Sequence, residues 1–334
     1  MLFPRFTLLA GALLLASAIS QAAPSGTVFT ANERGGSISA VHLADGATRT
    51  VALDIAPHNV QVTPDGQWLL AVGMSAHAGH HAAAGDAGQL LVFDIADLER
   101  PAFVLPAGSH PAHVVSDAAG RLAFVSDSGA NAVLVFDLAS RARVGAIPTG
   151  RYPHGLRLSP DGKELYVANM KDDSVSVIDV ARQEETARIA VGRAPVQVGF
   201  APDGKQVYVS LSAENKVGVI DRAQRRLLGK VAVGRLPVQL FATPDGRQLY
   251  VANQGTAQSP DNRVSVIDPA TRRLLATIQV GRGAHGVAMS QDGGYAFVSH
   301  LEDGTFSVID TASRKVVATH PVGEGPNGIS YSPR

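Results

Sequence analysis

Residues 153–194, PHGLRLSPDGKELYVANMKDDSVSVIDVARQEETARIAVGRA, recur along the chain with little change. Related blocks start at Pro195, Pro237 and Ala284, and the starts at 111, 153, 195 and 237 lie 42 residues apart. One supersecondary unit has been copied, and a fold built of copies must bury each unit against its neighbours. Within the unit, residues 156–159, 164–169, 174–179 and 186–191 are short β-branched or aromatic runs bounded by turn formers. They predict four strands. Pro160-Asp161-Gly162 joins the first two, because proline presets φ and glycine accepts φ > 0. A four-stranded antiparallel meander repeated at about 40 residues predicts a propeller blade.

Residues 26–32 match the second strand of the repeat, with Asn32 where Asn169 stands, and 37–43 and 48–53 follow as third and fourth strands. No first strand precedes them. It stands at the other end, where 326–332 match the opening of a blade and then stop. The two termini are therefore expected to share one blade, which closes the ring and removes exposed sheet edges. With full blades starting at Pro57, Pro111, Pro153, Pro195, Pro237 and Ala284, the expected fold is an all-β, seven-bladed propeller of four antiparallel strands per blade, one domain over 23–334. Two blades run long, 54 residues from Pro57 and 47 from Pro237. The extra residues, GMSAHAGHHAAAGDAGQ and GTAQSPDN, fall between second and third strands. Antiparallel order puts these insertions and every inter-blade link on the same face, and loops on a rigid scaffold are where function concentrates.

Residues 1–22 combine Arg5, an apolar run from Phe6 to Ile19 and a small-residue cut site at Ala22. That pattern reads as a cleaved secretory signal peptide, and the apolar run is shorter than the roughly 20 residues of a membrane span. The chain has no cysteine, which excludes disulfides and thiolate metal sites and suits a bacterial periplasm. Lys plus Arg and Asp plus Glu both total 29, so charge gives no pull toward nucleic acid. The closed ring is expected to act as a monomer.

Nine of the eleven histidines fall on the loop-bearing face or at strand ends touching it. His58, His154 and His285 hold the same repeat position at the head of an innermost strand, and His113 stands one residue further along its own. Innermost strands surround the central channel, so these four are the candidate metal ligands, although strict strand alternation would turn His113 away. His77, His80 and His81 lie in the long insertion. Imidazoles without thiolate suit Zn²⁺ or, as the alternative, Cu²⁺. The plainer reading leaves each histidine satisfying local backbone groups, and the inserted loop a flexible Ala- and Gly-rich surface. Arg151, Arg193, Arg235 and Arg282 recur in the links. They read either as covers for neighbouring carbonyls or as an anion-attracting mouth, which Asp172, Asp173, Asp261, Glu302 and Asp303 on the same loops oppose. The sequence holds no phosphate-binding loop and no GxSxG elbow.

Tyr166-Val167-Ala168-Asn169 and Tyr250-Val251-Ala252-Asn253, with SPDG or TPDG before and SVID after, resemble the YVTN family of β-propeller repeats. The resemblance spans 27–334 and implies the fold, while the family's functions are diverse. Similar propellers include periplasmic zinc chaperones with histidine-rich loops, the copper domain of nitrous-oxide reductase and the haem domain of cytochrome nitrite reductase. His80-His81 looks like the paired histidine of the copper enzyme, with His113, His154 and His285 as single ligands. Val196, Val238 and Asn327 stand at the equivalent position in the other blades, which argues for a simpler site of three or four imidazoles. The expectation is thus a periplasmic metal-binding or delivery protein, not a catalyst. Its partners would be the ion and a periplasmic or transporter protein. A copper- or haem-dependent oxidoreductase is the first alternative, and a metal-free interaction scaffold the second.

Overall fold

Each run of the repeat pairs with its sequence neighbour. In the computed structural model, which describes residues 23–75 and 88–334, the result is seven four-stranded antiparallel sheets. The leader expected at 1–22 lies outside the described residues, as do His77, His80 and His81. The blades are numbered I to VII from the composite one. Blade IV comprises Pro153–Leu158, Glu164–Asn169, Ser174–Asp179 and Glu184–Ala190. Its innermost strand begins earlier than its hydrophobic run suggests, because Pro153 already pairs with Asn169. In blade I, Pro326–Ser332 lies antiparallel to Thr27–Asn32, with Thr27 opposite Ser332. The Thr27 hydroxyl donates to the Arg334 carbonyl at 3.0 Å, and the ring is closed as expected.

Second and third strands are buried on both faces, as in Leu122–Asp127 and Ala132–Asp137, while fourth strands such as Ala142–Pro148 are largely exposed. This pattern follows from stacking each sheet between two others. Val115, Phe124 and Val135 of blade III pack with Leu156, Val167 and Ile178 of blade IV, and Tyr166 meets Phe200 of blade V edge to face at 5.2 Å. Each large apolar side chain buried this way contributes roughly 1.5–3 kcal/mol. No blade has a core of its own.

The Asn that ends each YVAN run acts as a hairpin clamp. Asn169 Nδ2 donates to the Ser174 and Ser176 hydroxyls at 3.1 and 2.8 Å, and Asn32 repeats this with Ser37 and Ser39. The link glycine before each Arg leaves room for it: a Cβ on Gly150 would lie 2.6 Å from Asn169 Nδ2. Links and second hairpins meet on one face, as Met170 N–H to Tyr152 C=O (3.0 Å) and Leu301 N–H to Gly283 C=O (2.9 Å) illustrate. The GTAQSPDN insertion is no irregular loop. It lengthens the hairpin of Leu249–Thr256 and Ser259–Asp268, with Thr256 opposite Ser259.

The link arginines take the plainer of their two readings. Arg151 Nε donates to Asp172 at 2.6 Å and its Nη2 to the Lys171 carbonyl at 2.8 Å, while Arg282 Nε reaches Asp303 at 2.8 Å. The same carboxylates accept the arginines' own backbone N–H groups. At Arg151 and Arg282 these acids and bases fasten the link to its hairpin, while Arg193 covers the Ala213 carbonyl.

Candidate functional site

Every innermost strand opens with a register shift, between Pro57 and Asn59 in blade II, Pro111 and Val114 in blade III, and Pro153 and Leu156 in blade IV. A bulge breaks the two-residue alternation and re-aims side chains. His113, one position out of step, is thereby turned onto the same axis as His58 and His154. The three ring centroids lie 4.8–5.6 Å apart, and one ligand atom from each falls within 4.8 Å of the others. His285 shares the repeat position of His58 and His154 but stands outside this cluster.

The hydrogen bonds fix which nitrogens face inward. A carbonyl can only accept, so His154 donates its Nδ1 proton to Val196 O (3.1 Å) and His285 does the same to Asn327 O (3.1 Å). In both, Nε2 is left as a bare lone pair when the ring is neutral. His58 Nδ1 lies 3.1 Å from the Glu33 carboxylate and 3.0 Å from Asn327 Nδ2. When His58 gives its Nδ1 proton to Glu33, its Nε2 meets His154 Nε2 at 3.2 Å with two lone pairs face to face. Such a contact needs a proton or a metal ion between the two nitrogens; the proton is in place when His58 Nδ1 instead accepts from Asn327 Nδ2 and its Nε2–H donates to His154. Two imidazoles on one tetrahedral Zn²⁺, with bonds of about 2.0–2.1 Å, have nitrogens about 3.3 Å apart, close to the separation here.

Electrostatics keep His113, His154 and His285 in their ligand form. Burial, with the charges of His154 and His58, holds His113 well below its ordinary pKa. Burial and then His58 lower His154 to about 3 and His285 to about 4. Burial alone would raise Glu33, but the hydrogen bond and charge of His58, helped by Asn327 Nδ2, bring it down to about 2. A permanent carboxylate thus backs the cluster, the usual way a ligating imidazole is oriented and made more basic.

Glu33 was not among the residues singled out from the sequence. Its signal lay in the repeat: the residue after the second strand is Ser128, Met170, Ser212, Gln254 or Leu301 in blades III to VII, and blade I alone carries an acid there. These residues surround the mouth. A cavity of about 340 Å³ is lined by His58, His154, His285 and Glu33 together with Met170, Val196, Leu236, Val238 and Leu301.

The remaining histidines do other work. His110 is exposed in its link, its ring 6.2 Å from Tyr152. His300 is buried and takes the clamp role of Asn169, with Nδ1 2.8 Å from the Thr305 hydroxyl. His42 meets Thr27 Oγ1 at 3.1 Å, and His320 stacks on Phe306.

The sequence pattern of the YNCE-like β-propeller family matches residues 74–248, more than half of the chain. That of the cytochrome D1 heme domain matches residues 233–328, a stretch containing His285. No curated protein sequence matches the chain. Among solved structures, hydrazine synthase of Kuenenia stuttgartiensis is similar at a TM-score of 0.71 and 21% identity, covering 83% of this chain and 90% of that one. A functionally unknown protein of Desulfotomaculum acetoxidans DSM 771 gives 0.75 and 17%, covering 92% and 99%. The dihydro-heme d1 dehydrogenase NirN in complex with DHE gives 0.66 and 15%, covering 95% and 77%. At such identities the likeness shows the shared propeller alone.

Proposed function

The chain belongs to the YNCE-like β-propeller family, and on that premise we propose that the mouth of its channel binds a transition metal through His58, His113 and His154. The 3.2 Å approach of His58 Nε2 to His154 Nε2 carries this reading, since it is the spacing of two ligands on one ion. Glu33 and Val196 O would hold His58 and His154 from behind. Three imidazoles leave a tetrahedral ion one open position. With residues 1–22 read as an export signal, Zn²⁺ or Cu²⁺ would be bound, and passed on, in the periplasm.

A second reading has its own support. The stretch resembling the cytochrome D1 heme domain includes His285, whose Nδ1 is anchored and whose Nε2 is bare. The apolar rim of Met170, Val196, Leu236, Val238 and Leu301 suits a flat hydrophobic macrocycle. The three clustered rings pack too closely to admit a macrocycle between them. His285 and this rim would hold the haem, which would supply one-electron chemistry. The comparisons weigh toward haem, and the side-chain geometry toward a bare ion.

Separate titrations of the metal-free protein with Zn²⁺, Cu²⁺ and haemin decide between them. The bare-ion reading expects about one equivalent of ion, uptake abolished by His154→Ala, and affinity lowered about 10- to 100-fold by Glu33→Gln. Haem binding lost in His285→Ala but kept in His154→Ala would establish the second reading. Uptake of neither would overturn both.

A further inference from the structure

Below the imidazole cluster the channel holds a positive charge with nothing to balance it. Arg157 lies three residues beyond His154 on the innermost strand of blade IV. Its side chain crosses the lumen: Nη1 donates to Gln61 Oε1 of blade II at 3.2 Å, and the guanidinium sits 5.4 Å from the ring centroid of Phe241 in blade VI. Gln61 and Phe241 hold the same repeat position as Arg157 in their own blades, so three alternate blades meet at this level. The other four blades place Val115, Gly199, Ala288 and Ser330 there. No carboxylate belongs to this layer, and among the described residues Arg157 has no acidic partner within 4.0 Å, although the arginines of the links and outer faces are widely paired.

The surrounding protein strips Arg157 of much of its hydration, which lowers its pKa to about 10. It still carries its proton at neutral pH. Arg157 is only part-buried, and of the five N–H donors of its guanidinium one bond is accounted for. One layer nearer the mouth, the buried Gln239 uses Oε1 to accept Val287 N–H at 3.3 Å, and its Nε2 has no partner. At the level of Arg157 and Gln239 the channel thus offers unpaired donors and an uncompensated charge, with no carboxylate to match them.

We propose that the central channel binds one small monovalent inorganic anion, of halide or nitrate size, against the Arg157 guanidinium. The site rests on Arg157 and its neighbours and holds whether or not the cluster above takes a metal. Where it does, the two sites are coupled, because the charge of Arg157 already opposes positive charge on His113 and an anion beside it would relieve the same repulsion on a bound cation.

The test uses metal-free protein. Thermal unfolding is followed while sodium bromide replaces sodium gluconate at constant ionic strength. The midpoint is expected to rise with bromide in the wild type and to be insensitive in Arg157→Leu and Arg157→Gln. Arg157→Leu is also expected to match or exceed the wild type in bromide-free buffer, since its unpaired charge is gone; a residue that merely filled space would be missed there. Should the variants not fold, chloride-35 NMR on the wild type replaces them: line broadening by the protein, reversed by nitrate, supports the site. Equal bromide response in wild type and variants, or no reversible broadening, overturns it.

Discussion

Replacing His300 by asparagine isolates the cost of burying a histidine where three sister blades use an amide, Asn32, Asn169 and Asn253. His300 is fully buried, its Nδ1 is 2.8 Å from the Thr305 hydroxyl, and its Nε2 has no partner among the described residues. Burial lowers its pKa from 6.5 to about 4, against the opposing charge of Asp303. In the unfolded chain the ring takes up its proton as pH falls through about 6.5, while the folded chain resists until about 4. The unfolded state therefore binds more protons in that window, and stability falls as pH falls. At about pH 4.5 this one group costs the wild type roughly 2 kcal/mol relative to about pH 7.5. Asn169 makes the equivalent clamp to Ser174 at 3.1 Å, so His300→Asn preserves the hairpin and removes the titration. Urea unfolding at the two pH values measures the difference. The variant is expected to gain roughly 2 kcal/mol on the wild type at the lower pH, the shared histidines cancelling. Parallel loss of stability in both proteins would refute the argument and show that His300 is hydrated in the fold.

Two further perturbations probe the scaffold. Gly155→Ala would place a Cβ 2.3 Å from Gln197 Oε1 and 2.5 Å from Val196 O, the carbonyl that anchors His154. It is expected to cost about 1–3 kcal/mol in urea unfolding and at least tenfold in metal affinity, and unchanged affinity would deny Val196 O its orienting role. Ending the chain before Pro326 removes the innermost strand of blade I and unpairs the inner edge of Thr27–Asn32. Loss of the cooperative transition and concentration-dependent aggregation are expected by circular dichroism and light scattering, with recovery when a peptide of residues 326–334 is added.

Most of the fold was legible in the sequence because it is written in local rules repeated many times. A 42-residue period, short β-branched runs and PDG turns specify a blade, and a blade can bury both faces only between two others. The split repeat at the termini then dictates closure, and antiparallel order dictates the face that carries links and long hairpins. The recurrent Asn was visible, but its purpose as a clamp beneath a link glycine was not.

The site was legible only as a set of candidates. His58, His113, His154 and His285 were marked by their place at the strand heads, yet their convergence depends on how far each side chain swings toward the axis. A bulge at the strand opening lets His113 turn inward against strict alternation, while His285 stays apart although its strand carries the same bulge. Glu33 and Arg157 escaped notice because each is an ordinary charged residue in its own blade. The sequence by itself determined the ring, its closure and its working face, since those follow from pairing between neighbours. Only the tertiary structure decided what meets at the axis, where His58 and His154, 96 residues apart, come to 3.2 Å, because that distance is set jointly by all seven blades.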